Sequence, residues 1–103
     1  MEPLARATPA TADVLEALLQ ATEPTWGLRI VKATGRPAGS VYPILERLER
    51  LAWVDSEWEA ENERSGPRRC LYALTGSGVQ AAPEAIARVR AAQAPLREAG
   101  ASA

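Results

Sequence analysis

Between Leu51 and Val54 the spacing of apolar residues changes from a helical period to a period of two. Upstream, Val41, Ile44, Leu45, Leu48 and Leu51 fall on one side of a wheel that steps ~100° per residue. Downstream, Val54, Ser56, Trp58 and Ala60 alternate with Asp55, Glu57 and Glu59, the pattern of a strand with one wet, acidic face. No single element satisfies both periods, so the chain must pass here from helix to strand. The polar stretch Glu61-Asn-Glu-Arg-Ser-Gly-Pro then reads as a hairpin loop. A second strand follows from Arg68 to Leu74, with Cys70, Tyr72 and Leu74 on one face.

Other elements follow from the same rules. Residues 1–10 hold two prolines and no apolar period, and read as a flexible arm. Val14, Leu15, Leu18 and Leu19 predict a first helix, capped by Thr11 or Asp13 and ended near Thr22 by Glu23-Pro24. Thr25 fits the cap of a short second helix that buries Leu28, Ile30 and Val31 and stops at Gly35. The third helix is expected over about Ala38 to Ala52, with Gly39, Ser40, Pro43, Arg47 and Arg50 opposite its apolar side. Pro43 is tolerable because it lies near that helix's start. Thr75 can cap a last helix, in which Val79, Ala82, Ile86, Val89, Gln93 and Leu96 form a heptad seam that Pro83 should start or kink. The expected fold is mainly α with a small β-hairpin: a winged helix–turn–helix domain over 11–75, a C-terminal dimerisation helix over 76–99 and a frayed tail over 100–103.

Composition removes several function classes. The chain contains no histidine and one cysteine, so a histidine-based triad or a thiolate–imidazole metal site cannot form within it. No glycine-rich phosphate loop or hydroxyl–base pair is visible, and no cofactor is expected. Glu57 and Glu59 share a strand face, but an exposed strand offers no pocket for catalysis. No signal peptide or membrane-spanning run is read, and the lone Cys70 suits a reducing compartment, so a cytoplasmic location is expected. The core is rich in alanine and lacks phenylalanine, so a partner subunit would add needed burial.

The net charge of −1 does not announce a nucleic-acid binder, but the charges are unevenly placed. From Arg29 to Arg50 the bases Arg29, Lys32, Arg36, Arg47 and Arg50 face only Glu46 and Glu49, and the far arm of the hairpin adds Arg64, Arg68 and Arg69. The acidic excess gathers at Asp55 to Glu63. In a winged helix–turn–helix domain the third helix enters a major groove ~12 Å wide, and the hairpin lies over adjacent phosphates. Lys32 and Arg36, around the turn, would position the backbone, and Arg64 could reach a minor groove. Each arginine alone also reads as solvated surface, and Arg47 and Arg50 could pair with neighbouring glutamates.

Gly39-Ser-Val-Tyr-Pro-Ile-Leu-Glu-Arg-Leu-Glu-Arg-Leu resembles the recognition-helix segment of the PadR-like regulators. Arg68-Arg-Cys-Leu-Tyr-Ala-Leu-Thr, with Gly78 shortly after, resembles that family's second wing strand and helix entry, and Trp26-Gly27 matches a weaker position. The similarity runs from about Val14 to Ala82. Two departures stand out: Trp26-Gly27-Leu28 where many relatives carry His-Gly-Tyr, and Ala52 where many carry the glycine that closes the recognition helix. The last helix is also short for the family. The resemblance implies a dimeric repressor that binds palindromic double-stranded DNA operators and is released by a small, often aromatic, effector. It assigns DNA contact to Ser40, Tyr42 and Arg68 or Arg69, and dimerisation to the first and last helices; Gly39 and Pro43, in the same segment, join the candidate DNA-binding residues.

Each assignment has a plainer counterpart. Ser40 fits a helix-capping hydroxyl as well as a phosphate contact, and the Tyr42 ring fits the edge of the core. Trp26 and Trp53 could stack on a flat ligand between subunits, but with Trp58 they also suit a core short of bulk, Trp58 lying on the strand face expected to be buried. Cys70 beside Arg69 could be a redox switch or an inert buried thiol. Leu15, Leu18, Val79, Ile86, Val89 and Leu96 are the candidate dimer residues, although the last helix could instead pack on the first helix of its own chain. The rival overall reading is a winged-helix module that binds protein, which the acidic strand favours.

Overall fold

The computed structural model describes residues 7–60 and 66–93. Its elements run α1 (Pro9–Gln20), β1 (Thr25–Trp26), α2 (Gly27–Thr34), α3 (Ala38–Arg50), β2 (Val54–Trp58), β3 (Cys70–Leu74) and α4 (Gly76–Gln93). Three helices and a hairpin appear where the periods place them, and α4 follows the hairpin directly. The candidate residues Arg64 and Leu96 lie outside the described residues.

Local chemistry sets most boundaries. Thr8, rather than Thr11 or Asp13, caps α1: its side chain accepts from the Thr11 amide, with Pro9 in the first turn. Pro9 and Ala10, expected in the N-terminal arm, are helical instead. Gly35 ends α2 in a left-handed conformation at φ 72°, its amide donating to the Val31 carbonyl. Thr75 caps α4, its hydroxyl accepting from the Gly78 amide at 2.9 Å and donating to the Ala52 carbonyl at 2.8 Å. That cap starts α4 at Gly76, and the helix continues past Pro83 instead of beginning there.

Two expectations are corrected around the sheet. Thr25 does not cap α2; with Trp26 it forms β1, which pairs antiparallel with β3 through Thr25↔Tyr72 and Trp26↔Leu71. The hairpin is therefore part of a three-stranded sheet in the order β1-β3-β2. A two-residue strand carries too few residues to show a period, so only the tertiary pairing reveals it. Trp58, expected in the core, is 67% exposed. The face it shares with Val54 leaves the core along the hairpin: Val54 is buried, Ser56 half-buried and Trp58 beyond the packed helices.

The core joins all four helices. Val14, Leu15 and Leu18 of α1, Ile30 of α2, and Val41, Leu45 and Leu48 of α3 meet Trp53, Val54 and Ala82. Each fully buried aliphatic side chain contributes about 1.5–3 kcal/mol, which fixes α3 with its polar side outward. Trp53 is 3% exposed and fills this core, so its ring is closed to a ligand stacking on it. Gly78 is buried against the Trp53 carbonyl, at a spot where a Cβ would collide with backbone.

The described part of the heptad seam packs mainly within its own chain. Ala82 and Val89 are buried in the same chain, α4 lying along α1, while Ile86 is half-buried and Val79 stays half exposed. Leu15 and Leu18 are likewise interior, so neither offers a surface to a second subunit.

Candidate nucleic-acid interface

The turn between α2 and α3 is built from Gly35 and Pro37. The Pro37 carbonyl accepts from the Ser40 and Val41 amides at 2.9 and 3.0 Å, which starts α3 with proline as its cap and no side-chain cap bond. Burial of Val41, Leu45 and Leu48 then turns Gly39, Tyr42, Pro43, Glu46, Glu49 and Arg50 outward. Pro43 lacks the amide that would reach the Gly39 carbonyl, but both residues are exposed, so water can satisfy that oxygen. Ser40 and Arg47 lie half-buried at the margin of this surface.

Tyr42 is held by its neighbour across the turn. Its ring lies on Gly27 so closely that a Cβ there would overlap the ring carbons and the hydroxyl. The phenol nonetheless remains 37% exposed. Gly27 therefore gives Tyr42 its position, as the sequence pair Trp26-Gly27 did not by itself reveal.

The hairpin has two chemically distinct faces. In the β2–β3 register Val54↔Leu74, Ser56↔Tyr72 and Trp58↔Cys70 share one face, and Asp55↔Ala73 and Glu57↔Leu71 share the other. The first face is turned toward α3: Ser56 Oγ donates to Glu49 Oε2 at 2.6 Å. Asp55 and Glu57 are exposed on the opposite face and line, with Ser56 and Glu49 of α3, a cleft of about 410 Å³. Burial pushes the Tyr72 hydroxyl up to about 12, helped by hydrogen bonding with Cys70 and by the charges of Cys70, Tyr42 and Glu49.

Not all the candidate bases reach this surface. Lys32 and Arg68 are exposed. Arg69 turns to the acidic side of the hairpin, its guanidinium 3.8 Å from the centroid of the Trp26 ring and its amide donating to Glu59 Oε1 at 2.9 Å. Arg29 also approaches Trp26, at 5.4 Å. Arg36 donates through Nε to Asp13 Oδ2 at 2.9 Å, and Arg90 of α4 donates to Asp13 Oδ1 at 2.7 Å. Partial burial pushes the Asp13 carboxyl up, but the hydrogen bonds and charges of Arg90 and Arg36 outweigh it and hold the group below its usual 3.8. Asp13 thus ties the turn and α4 to α1, and the Arg36 guanidinium is engaged within the chain. Nothing in the sequence flagged this link, because its members lie far apart along the chain.

Among the described residues no cluster of acidic, cysteine or histidine side chains could hold a metal, and no helix is long and apolar enough to cross a membrane. A polar cleft of about 460 Å³ lies between the end of α1, β1 and α2, lined by Trp26, Arg29 and Glu59 among others.

Comparisons with known proteins agree with this geometry. Residues 14–84 match the model of the transcriptional regulator PadR-like family. A PadR-like transcription factor from Bacteroides fragilis superposes with a TM-score of 0.57 at 25% identity, over 89% of this chain and 86% of that one. A point mutant of Lactococcus lactis ZitR gives 0.65 at 19% identity, over 100% of this chain and 66% of that one. A point mutant of MepR from a multidrug-resistant S. aureus clinical isolate gives 0.59 at 26% identity, over 75% and 53%. The chain thus spans about two thirds of the ZitR length and about half of the MepR length. No curated protein sequence matches it. The matched segment runs from α1 into α4 and takes in the turn, the outward side of α3 and both strands of the wing; the chain belongs to the PadR-like family of transcriptional regulators, DNA-binding winged helix–turn–helix proteins rather than enzymes.

Proposed function

We propose that the protein is a repressor that binds a palindromic double-stranded DNA operator as a homodimer, with α3 in the major groove and the hairpin against the flanking backbone. The observation that carries this reading is the outward side of α3, where Gly39, Tyr42, Pro43 and Arg50 are exposed above a fully buried aliphatic row. Small residues at the helix start allow close approach, the phenol and Ser40 suit phosphate or base edges, and Arg47 and Arg50 supply charge. Two-fold symmetry would set the two α3 helices ~34 Å apart, one turn of DNA.

Dimerisation is supported by the apolar surface that remains after intramolecular packing. Val79 is half exposed, and with Leu19 and Leu74 it borders a cleft of about 270 Å³ between α1 and the sheet. Ile86 lies further along α4. For release by a small aromatic effector, Trp26 lines the polar cleft of about 460 Å³, with the Arg69 guanidinium over its ring, whereas Trp53 is enclosed.

Selection of bound sequences from a random duplex library, followed by anisotropy titration across salt concentrations, tests the reading. An enriched inverted repeat and an affinity that falls log-linearly with salt would support it. Failure to enrich any sequence, with weak or salt-independent binding, would sink it. The exposed carboxylates Asp55 and Glu57 favour a protein partner as the second reading, and that outcome would point to it.

A further inference from the structure

We infer that Asp13 is a positioning residue for DNA binding: it holds the turn that starts α3 through Arg36, and it makes that turn answer to α4 through Arg90. The inference rests on the DNA-binding reading above and adds to it a side chain of α1, outside the proposed contact surface.

One carboxylate serves three elements. Its Oδ2 accepts from Arg36 Nε at 2.9 Å and its Oδ1 from Arg90 Nη2 at 2.7 Å, so each oxygen holds a different arginine. These partners lie 23 and 77 residues further along the chain. Arg90 has two more acceptors: Glu16 Oε2 of α1 at 3.4 Å and Gln93 Oε1 of its own helix at 3.2 Å. Its guanidinium therefore follows α4. At the other end Arg36 stands between Gly35, which ends α2, and Pro37, which caps α3, and its amide donates to Thr34 Oγ1 at 3.1 Å. A displacement of Arg36 is thus passed within one residue to the start of α3.

The start of α3 is lightly held by its own surroundings. Pro37 makes no side-chain cap bond, and Pro43 leaves the Gly39 carbonyl without its helical donor. A Cβ at Gly35 or Gly39 would meet nothing within 4 Å, so both stand in open space. Burial of Val41, Leu45 and Leu48 sets the rotation of α3, but it begins a turn inside the helix. The tether from Asp13 acts before that point. Its effect on DNA binding is separable from simple electrostatics. Asp13 and Glu16 face Arg36 and Arg90, so the four charges balance. Removing the Asp13 charge by itself favours a polyanion, whereas losing its hold on the turn disfavours one. The two effects have opposite signs.

The test titrates the full chain against the duplex enriched by selection, below the melting temperature of every variant. Asp13→Asn should weaken binding about threefold, although it removes a negative charge, and should leave the salt slope unchanged. Arg90→Gln should weaken binding to a similar extent, and in the Asp13→Asn background it should add nothing. Tighter or unchanged binding by Asp13→Asn overturns the inference; a steeper salt slope with it would mean that the freed Arg36 takes a phosphate. An Arg90→Gln loss that persists in the Asp13→Asn background overturns it as well. If Asp13→Asn does not fold, the same cycle between Arg36→Gln and Arg90→Gln decides. A combined loss smaller than the sum supports the link, and additive losses remove it. Each of these failures leaves the DNA reading standing as long as the unmutated protein binds; if it binds no duplex, both fail.

Discussion

The guanidinium of Arg69 lies 3.8 Å from the centroid of the Trp26 ring, and this contact ties the start of β3 to the entry of α2. Arg68, the residue before it, is exposed. Adjacent arginines that look equivalent in the sequence thus have different tasks. A cation–π contact of this kind is worth about 0.5–2 kcal/mol. Arg69→Ala should lower stability by about 1 kcal/mol with little change in the salt slope of DNA binding. Arg68→Ala should leave the melting temperature near its original value and reduce that slope by about 0.9. Thermal melts and anisotropy titrations of the two variants check the contrast, and identical behaviour would remove it.

Gly27→Ala should destabilise by about 1–3 kcal/mol, as expected for forcing a methyl into occupied space, because a Cβ would overlap the Tyr42 ring. In a Tyr42→Ala background the same change should be nearly neutral, since the obstructing ring is gone and alanine favours the helix. Urea melts of the four proteins in the double-mutant cycle measure the coupling.

Ala52 occupies a left-handed conformation at φ 65°. It closes α3 in a Schellman pattern: the Trp53 amide donates to the Leu48 carbonyl at 2.9 Å and the Ala52 amide to the Glu49 carbonyl at 3.0 Å. An L-side chain is strained there, and glycine is not. Ala52→Gly should therefore stabilise the protein by about 0.5–1 kcal/mol, a rise of a few degrees in Tm. An unchanged or lower Tm would show that the strain is relieved in some other way.

Asp13 accepts from both Arg36 and Arg90, and its carboxyl titrates below its usual value. A depressed folded-state pKa means that the stabilisation is present above the unfolded value, near pH 4, and is lost as the pH falls through the folded value. Asp13→Asn should cost about 1 kcal/mol at neutral pH, a figure kept small because the group is partly solvated. The difference between the two proteins should shrink below pH 4. Melts taken between pH 2.5 and pH 7 (conditions chosen to bracket the carboxylate range) read it directly, and a gap independent of pH would exclude ionic linkage.

The helices and the hairpin were legible in the sequence because each depends on a local period and on nearby punctuation. The apolar row of α3, the glycine ending α2 and the threonine starting α4 act within a few residues of themselves. The PadR-like segments were legible for the same reason, as short runs of fixed spacing. What the sequence could not decide is where each exposed charge or ring ends up once distant elements meet. Arg36 is drawn to Asp13, Arg69 to Trp26, and the α4 seam to the chain's own α1. Thr25 and Trp26 become a strand only because β3 offers them a free edge, and Trp58 becomes a surface residue only because the core ends before it. Periodicity fixes which side of an element is apolar; packing between elements distant in sequence fixes what that side, and its opposite, finally touches.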